Sequence, residues 1–590
     1  MNRKTTTSRK MNERIPSRFF YGNRQPVHQK GQRKQMNRNS VFALVSVSIL
    51  FVSSLAGCAK PEPQVAGTTV VKEQVSQETA VTATAGRQGG EITYGLTLIV
   101  SDIDPHTGSS SELGIFLTSV YDPLVWRDQE GNYYPGLAKS WEISEDERIY
   151  TFHLRDDVKF HDGEPFNAGA VKANLERIAD PELQSHKAVY MMGPYDRTEI
   201  VDAYTVQVHF EETYAPFLDS VSQVYLAMAS PKALEEWGPE HYREHQAGTG
   251  PFAIQEYVPK DHIVLVKNPD YNWAPAFMEH QGPAYLDKIT FRFYPDAATR
   301  VPALESGEAQ IMGEIPPLEA KRLASDSRFV IYPTHIPGQS LQVFINTSRT
   351  PTNDLQVRQA LIYGCDRQAI VNGIFGGFSP VAHGPLGRKT PFYNPAVEGM
   401  YSYDPEKARN LLAEAGWTDT NGDGVLDKDG QDFVLDTVLM GWGAMPEVGT
   451  AMQGLYRQLG IKMEAQILAY PAALEAARNN AHHLIPMALS SSDPDILSSY
   501  FHSRNIESGF SWSRYPDAGL DQWLDKGTRT NDMEKRSELY DQAQQRIMEQ
   551  ALIVPIRDYV NLNGDNAKVK GLRYGLQGWF PWLYDVYLKD

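Results

Sequence analysis

Cysteine is scarce in this chain, because only Cys58 and Cys365 occur among its 590 residues. A disulfide framework of the kind that stabilises small secreted domains is therefore excluded. Cys365 shares a predicted helical face with Val357, Leu361 and Ile370, and such an apolar face packs into a core. The spacing predicts a buried structural thiol rather than a reactive one.

Signatures of several enzyme classes are also missing. The sequence has no GxSxG nucleophile elbow, no HExxH zinc motif and no GxxxxGK[ST] phosphate loop. The glycines of GTGPF, residues 248–252, lack the GxGxxG spacing of a dinucleotide site, so we expect them to shape a turn before a strand. We expect neither catalysis nor a cofactor, although a hydrolase with an uncatalogued carboxylate pair is left open.

Acidic residues are in excess, since 73 Asp and Glu face 56 Lys and Arg, for a formal charge of −17. Such a charge disfavours nucleic acid as a partner and favours solubility, and it could attract cationic solutes. Hydrophobic residues make up 41% of the chain and charged residues 22%. This is ordinary globular composition, with enough length for about two to four domains.

The N-terminal region has the layout of a signal peptide. An apolar run over residues 41–57 follows the basic residues Arg33, Lys34 and Arg38. An uncleaved anchor is the alternative, but about 16 apolar or small residues fall short of the ~20 that a spanning helix needs. We predict that residues 1–57 are removed and, because a long basic extension precedes Met36, that translation starts there.

The tetrapeptide that ends this region, Leu55-Ala56-Gly57-Cys58, resembles a bacterial lipobox. The resemblance implies that Cys58 becomes a lipidated N-terminus, anchored to a membrane and facing the periplasm or the cell exterior. Residues 58–88, rich in Thr, Gln, Pro and Gly, are predicted to form a flexible tether. The mature chain would hold 45 basic and 72 acidic residues, a formal charge of −27.

Local patterns beyond residue 88 predict alternating strands and helices, and hence an α/β fold. In YTFHLRDDVKFHDGEPF, residues 150–166, Tyr150, Phe152 and Leu154 alternate with polar residues as in a strand with one buried face, and a turn follows. Similar alternation predicts strands at 205–210 and 262–268. Caps predict two helices, which begin at Asp404-Pro405 and near Pro446 and end at Gly416 and Gly460.

Two groups of residues are candidate metal ligands. Asp419, Asn421, Asp423 and Asp427 have the D-x-N-x-D-G spacing of a calcium loop, but glycine stands where the bidentate Glu belongs. A polar hairpin loop whose side chains bond their own backbone is the favoured alternative. The adjacent His482 and His483 point in different directions, so we expect an exposed pair rather than a chelate.

Several ordered blocks resemble the bacterial family 5 extracellular solute-binding proteins, which are peptide- and nickel-type receptors of ABC importers. The blocks lie at 103–105, 138–171, 248–252, 306–312, 344–370, 403–416 and 490–495, and the resemblance runs from about 89 to 590. It implies a ligand-binding monomer that works with an ABC permease and ATPase. It also implies a two-lobed periplasmic-binding-protein-like α/β fold with a hinge and an interlobe cleft, the N-terminal lobe enlarged by an extra subdomain.

On this pattern lobe I comprises residues 89–340 plus 560–590, and lobe II comprises residues 341–559. We expect the hinge crossings near 338–344 and 554–559, with a small polar solute enclosed between the lobes. A ligand-sensing or interaction lipoprotein on the same scaffold is an alternative that the sequence leaves open.

The site residues that the resemblance implies depart from the known ligand patterns. Ser490 stands where dipeptide receptors carry the Asp that pairs with the peptide amino terminus, and residues 440–449 contain no basic residue for the carboxylate. The Trp and His of nickel receptors correspond to about Ala488 and Ile506. An ordinary dipeptide and a metal chelate are therefore disfavoured.

Aromatic and hydroxyl side chains remain near the inferred cleft and suit a neutral polar solute, such as an oligopeptide-like molecule or a sugar, or a cation beside an acid. The predicted ligand contacts are Trp442, Ser490, Ser491, Ser492, Asp493, Tyr500, His502 and Trp512, with Trp579 and Trp582 as further candidates.

Overall fold

The computed structural model describes residues 88–100 and 102–589, which belong to one compact unit. The predictions for the signal peptide, Met36, Cys58 and nearly all of the tether concern residues outside these ranges. No helix within the described ranges is long and apolar enough to cross a membrane.

A mixed sheet of seven strands, called sheet A, is the framework of the first part of the fold. Its strands, in spatial order, are Phe329–His335, Val560–Asn566, Ile311–Met312, Glu91–Leu96, Lys288–Phe293, His262–Lys267 and Phe252–Val258. Glu91–Leu96 pairs in parallel with Lys288–Phe293, whereas Val560–Asn566 comes from the far end of the chain and pairs in the antiparallel sense. Sheet A is therefore complete only when the strand Val560–Asn566, from the C-terminal part of the chain, pairs with its neighbours.

A second, antiparallel sheet, called sheet C, lies within the same part. Its strands, in order, are Ala138–Ile143, Ile149–Leu154, Thr205–Phe210 and Tyr195–Asp202. Tyr150, Phe152 and Leu154 are buried, as their alternation predicted, and they belong to the core that also covers sheet A. The ring of His161 contacts the Gly250 carbonyl at 3.0 Å and the Gly248 amide at 3.2 Å, which ties this segment to the glycine turn.

Five strands form sheet B, which has its own hydrophobic core. In spatial order they are Lys462–Leu468, Val434–Met440, Leu484–Met487, Leu341–Ile345 and Ile553–Arg557. Cys365 is fully buried in this core, as predicted, and burial raises the pKa of its thiol to about 12. The thiol is therefore an unreactive core group.

Helices cover the sheets. Those near sheets A and C are Leu113–Leu117, Ala168–Ala179, Lys187–Met191, Phe217–Ser220, Pro231–His241, Ala297–Ser306 and Pro317–Leu323. Those near sheet B are Leu355–Tyr363, Arg367–Ile374, Pro405–Glu414, Met445–Arg457, Tyr470–Arg478, Ile496–Phe501, Ala518–Thr528 and Met533–Glu549. The two helices predicted from their caps are thus confirmed, and Asp404 accepts a hydrogen bond from the Lys407 amide at 2.9 Å.

Short elements complete the described chain. The two-residue or three-residue strand pairs are Val125–Arg127 with Tyr133–Pro135, Asp427–Lys428 with Gln431–Asp432, Val569–Lys570 with Tyr587–Leu588, and Arg573–Tyr574 with Pro581–Trp582. The 3-10 turns are Pro181–Leu183, Val224–Leu226, Tyr242–Glu244, Pro395–Val397 and Ser503–Asn505.

The chain passes between sheets A and B twice. The first connection joins Phe329–His335 of sheet A to Leu341–Ile345 of sheet B, and the second joins Ile553–Arg557 of sheet B to Val560–Asn566 of sheet A. Both connections are short, so the two sheets meet at one edge. The functional cleft has to be sought beside these connections.

Candidate ligand-binding site

Three neighbouring cavities lie along the boundary between the two parts of the fold. The inner cavity, of about 670 Å³, is lined by Gln339 and Tyr559 of the two connections. The middle cavity, of about 360 Å³, shares Ser490 and Trp579 with it, and the outer cavity, of about 480 Å³, shares Tyr190 with the middle one. Each has the size of a small-molecule site, and together they form one elongated cleft.

Two of the predicted contacts, Trp442 and Ser490, meet at the inner cavity. Trp442 lies between the strand Val434–Met440 and the helix Met445–Arg457, and its side chain is 39% exposed. Ser490 lines both the inner and the middle cavity, as does Trp579. Trp582, in contrast, is buried and its ring packs 4.8 Å from that of Phe277.

The loop that carries Ser490 is fastened to the first connection through its backbone. The Gln339 amide donates to the Leu489 carbonyl at 2.9 Å, and the Ser491 amide donates to the Pro337 carbonyl at 3.0 Å. Gly338 lies between them with φ of +115°, and a Cβ there would stand 2.4 Å from the Leu489 oxygen. Only glycine allows this approach, which fixes the loop position. Ser491 also lines the middle cavity.

Ser492 has a different place from the one predicted. It is buried, and its hydroxyl donates to Asp219 Oδ1 at 2.6 Å and accepts from Gln577 Nε2 at 2.7 Å. Asp219 also pairs with Arg127. The Ser492 side chain therefore joins the two sides of the cleft instead of facing a solute.

Asp493 is likewise engaged by the protein. Its two carboxylate oxygens accept from Arg536 Nη1 at 2.9 Å and Nη2 at 2.8 Å, and both side chains are buried. A buried bidentate pair of this kind holds the turn and leaves no free charge. Asp493 does line the middle cavity, so its role as a ligand contact stays a prediction, but its charge is already paired with Arg536.

Tyr500, Trp512 and His502 do not reach the cleft. Tyr500 and Trp512 are almost fully buried in the core of sheet B, where their rings pack 5.6 and 5.7 Å from that of Phe344. His502 is 8% exposed, and its Nδ1 accepts from the Arg504 amide at 3.1 Å, which caps a short turn. The prediction that these three residues line the site is wrong, because aromatic spacing indicates burial without saying which cavity or core is filled.

The expected exposure of His482 and His483 is wrong as well. Both are buried, at 0% and 4% exposure. His483 links the Asp436 amide and the Thr350 carbonyl, and His482 contacts the Trp512 carbonyl at 3.1 Å. Three of their four ring nitrogens therefore bond to the backbone of the core.

The 419–427 loop forms the polar turn that was the favoured alternative. Asp419 accepts from the amides of Gly422 and Gly424, and Asp423 accepts from the Val425 amide. Asn421 accepts from the Asp423 amide, and Asp427 is turned towards Thr420, whose hydroxyl donates to it at 2.6 Å. Within the described ranges no group of three or more His, Cys, Asp or Glu side chains is placed to hold a metal ion.

The charged residues that line the inner cavity are Arg300, Glu314, Glu447 and Arg557, and none of them is among the predicted contacts. Arg557 carried a signal in the sequence, because it ends an apolar strand inside the predicted crossing 554–559. Arg300 and Glu314 lie in segments without a local signature, and only the fold brings them to the cavity.

Burial shapes the electrostatics of the cleft. It raises the pKa of Glu314, against the opposing effect of Arg300. Burial and the neighbouring Glu314 charge raise the pKa of Glu112 to about 7. In the middle cavity Lys187 Nζ lies 3.5 Å from the ring centroid of Tyr225, and burial lowers its pKa to about 7. The cleft thus holds cationic and acidic groups that an organic solute can pair with.

The family model for bacterial extracellular solute-binding proteins, family 5, matches residues 132–508, which is more than half of the chain. The chain belongs to this family. The resemblance noted in the sequence is thereby confirmed, and so is the two-lobed α/β fold, since solved members share it with the described residues.

Relatives of this solute-binding protein include two characterised binding proteins. The nickel-binding periplasmic protein of Escherichia coli (strain K12) is 31% identical over 382 residues, 63% of this chain and 70% of that protein. The glutathione-binding protein GsiB of Escherichia coli O1:K1 / APEC is 29% identical over 493 residues, 81% of this chain and 91% of that protein. NikA from Brucella suis, solved in complex with Fe(III)-EDTA, has a TM-score of 0.76 at 25% identity over 85% of this chain and 100% of that one.

Proposed function

We propose that this solute-binding protein captures a small polar solute in the cleft and delivers it to an ABC permease and ATPase. The observation that carries the proposal is the inner cavity, which lies at the two connections and is lined from both sheets. Residues 89–340 plus 560–590 act as one lobe and residues 341–559 as the other. Closure about the connections excludes water and strengthens each polar contact to the solute.

The lining favours an organic solute. Trp442 and Trp579 offer ring faces, and Ser490 and Gln339 offer hydrogen-bonding groups. The relative GsiB binds glutathione by name, which is an organic ligand with polar groups. An oligopeptide-like molecule or another polar organic compound fits the same combination of rings and polar groups.

The remaining parts of the proposal concern the cell envelope. Lipidation of Cys58 and the tether 58–88 keep the monomeric receptor at the membrane surface, where a permease would meet it. Binding and release suffice for this role, so we expect no turnover of the solute. Recovery of chemically altered solute after incubation would instead indicate a hydrolase.

A thermal-shift screen tests the proposal. Glutathione, oligopeptides, oligosaccharides and nickel chelates are each added to the purified protein, because a solute that binds only the folded state stabilises it by about 2.7 kcal/mol at 100 times its Kd. We expect at least one solute class to raise the melting temperature. Absence of any shift across the classes would contradict a receptor role.

A variant places the binding in the cleft. Trp442→Ala should weaken the best solute about 10-fold, because a stacked ring face is lost, and calorimetric titration measures the change. Trp237→Ala is the matched control, since Trp237 is 38% exposed against 39% for Trp442 and lies on the helix Pro231–His241. Equal affinity in both variants would remove Trp442 from the site.

A further inference from the structure

Arg557 differs from the other buried arginines that lack a short ion pair. Arg300, Arg358 and Arg367 each use at least two guanidinium nitrogens to donate to backbone carbonyls. Arg557 Nη1 donates to Ser379 Oγ at 2.8 Å and to the Val560 carbonyl at 3.5 Å, and the Tyr559 hydroxyl is a further polar neighbour of the guanidinium. Its Nε is buried without a hydrogen-bond partner among the described residues. Part of the hydrogen-bonding capacity of Arg557, its Nε above all, is therefore unused.

The guanidinium is held in place beside the inner cavity. Arg557 is 7% exposed and ends the strand Ile553–Arg557, directly before the second connection. Its Cζ lies 3.9 Å from the ring centroid of Phe375 and 4.4 Å from that of Tyr559. Two ring faces stabilise a cation and fix its plane, so the edge of the guanidinium is oriented in advance.

No described carboxylate forms a direct ion pair with this charge, although Glu314 and Asp558 lie near enough to interact with it electrostatically. Among the residues that the structure describes, none has a carboxylate oxygen within 4 Å of the Arg557 guanidinium. The adjacent Asp558 pairs with Arg388 at 2.8 Å, and Glu314 lies 3.6 Å from Arg300. A buried charge without a direct counterion is unfavourable, and such a charge in a cleft is typical of a ligand site.

Gln339 adds an independent observation in the same cavity. Its side chain is 2% exposed, and both its amide nitrogen and its amide oxygen lack a hydrogen-bond partner among the described residues. An unpaired buried amide is costly, and a polar group beside the Arg557 ligand would satisfy it. A cation and an amide on the same cavity wall are the donors that a carboxylate with a neighbouring polar group requires.

We propose that Arg557 receives a carboxylate of the captured solute, so that the substrates of this receptor are organic anions or zwitterions. This inference rests on the proposed function and narrows it. The carboxylate binds the guanidinium edge between the rings of Phe375 and Tyr559, and Gln339 binds a polar group next to it. Because Nη1 also reaches the Val560 carbonyl across the second connection, the anion binds where the two lobes join.

Matched solutes test the charge requirement. Gluconate is compared with glucose, succinate with succinamide, and glutathione with its diethyl ester, each by thermal shift and calorimetric titration at equal ionic strength. We expect at least one carboxylate to bind and its neutral analogue to bind at least 10-fold more weakly. If no carboxylate stabilises the protein, or if neutral analogues bind as tightly, the inference is wrong.

Variants assign the effect to Arg557. Arg557→Gln should weaken the carboxylate roughly 30-fold or more, because one partner of a buried charged contact is lost. Ser379→Ala removes the hydroxyl that accepts a hydrogen bond from Nη1. This variant keeps the charge of Arg557 and should weaken carboxylate binding several-fold. Should Arg557→Gln fail to fold, Arg557→Lys takes its place. Lysine keeps the charge without the planar edge of the guanidinium, so the affinity for the carboxylate should fall about 10-fold. The control is Arg328→Gln, whose exposed side chain pairs with Asp326 away from the cavities and should leave the affinity unchanged.

The outcomes separate this inference from the proposed function. A neutral solute that binds wild type and Arg557→Gln equally, while Trp442→Ala weakens it, would uphold the receptor role and overturn the anion specificity. A carboxylate whose affinity survives both Arg557→Gln and Ser379→Ala would overturn the role of Arg557. Failure of every solute, charged and neutral, would overturn both.

Discussion

At the scale of single residues, burial decides what each polar group can do. Asp493 was a reasonable ligand candidate from its place in the SSSDPD turn, but Arg536, 43 residues further along, occupies both of its oxygens. Arg557 is not among the predicted contacts, although it lines the inner cavity and no described carboxylate lies within 4 Å of its buried guanidinium. The difference lies in partners that are distant in sequence, and neither composition nor spacing reveals them.

Glu112 gives a prediction on pH dependence. Its pKa is about 7 in the folded protein, so between about pH 4.5 and pH 7 the folded state keeps a proton that the unfolded state has lost. The contribution of Glu112 to the free energy of unfolding is therefore full at low pH and is lost as the pH rises through 7. We expect Glu112→Gln to show a smaller fall in melting temperature between pH 5 and pH 7.5 than wild type.

The exposed Glu130 supplies the control for this experiment. Glu130→Gln should follow the wild-type curve, because a solvated carboxylate contributes little. Parallel curves for wild type and Glu112→Gln would show that Glu112 does not titrate in this range.

At the scale of elements, the sequence predicted the strands and helices whose formation depends on residues close together in the chain. The alternation at 150–154 and the cap at Asp404 gave the correct strand and helix, because a two-residue period and a capping side chain act within a few residues. The place of Val560–Asn566 between strands more than 200 residues earlier has no local cause. The cleft depends on that pairing and could not be located from local signals. Of the eight predicted contacts, Trp442, Ser490 and Ser491 line a cavity with side chains that are neither paired with another buried side chain nor packed in the core.

Gly338 gives a prediction about the loop contact. Gly338→Ala should lower the free energy of unfolding by roughly 1–3 kcal/mol more than Gly282→Ala does, measured by urea denaturation. Both glycines have positive φ, at +115° and +94°, but a Cβ at Gly282 meets nothing within 4 Å. The comparison isolates the clash with the Leu489 carbonyl. Equal decreases in the free energy of unfolding of the two variants would mean that the loop moves away from the added Cβ without destabilising the protein.

At the scale of the whole molecule, polar contacts hold the two sides of the cleft together. Ser492 bonds to Asp219, the Tyr190 hydroxyl lies 3.0 Å from Ser499 Oγ, and the Asn531 amide donates to Glu147 at 2.9 Å. Each such bond contributes about 1 kcal/mol net, because water replaces it on opening. Closure held in this way is reversible, as a receptor that must release its solute requires.

Removal of two of these hydroxyls should shift the protein towards an open form. We expect the double variant Ser492→Ala with Tyr190→Phe to have a larger radius of gyration in solution scattering, and a bound solute to restore the smaller value. Tyr584→Phe is the control, since its hydroxyl donates to the Gly282 carbonyl within one side of the cleft. An unchanged radius in the double variant would mean that these bonds do not govern closure.

The backbone bonds between 337–339 and 489–491 have a practical consequence for engineering. Because main-chain groups alone hold the loop to the first connection, the side chain at Ser490 is free to be exchanged without moving the chain. A designer could graft a new recognition group at this position and read its occupancy from a dye on the rim of the cleft. The fold is thus a starting point for reagentless biosensors with a selectable analyte.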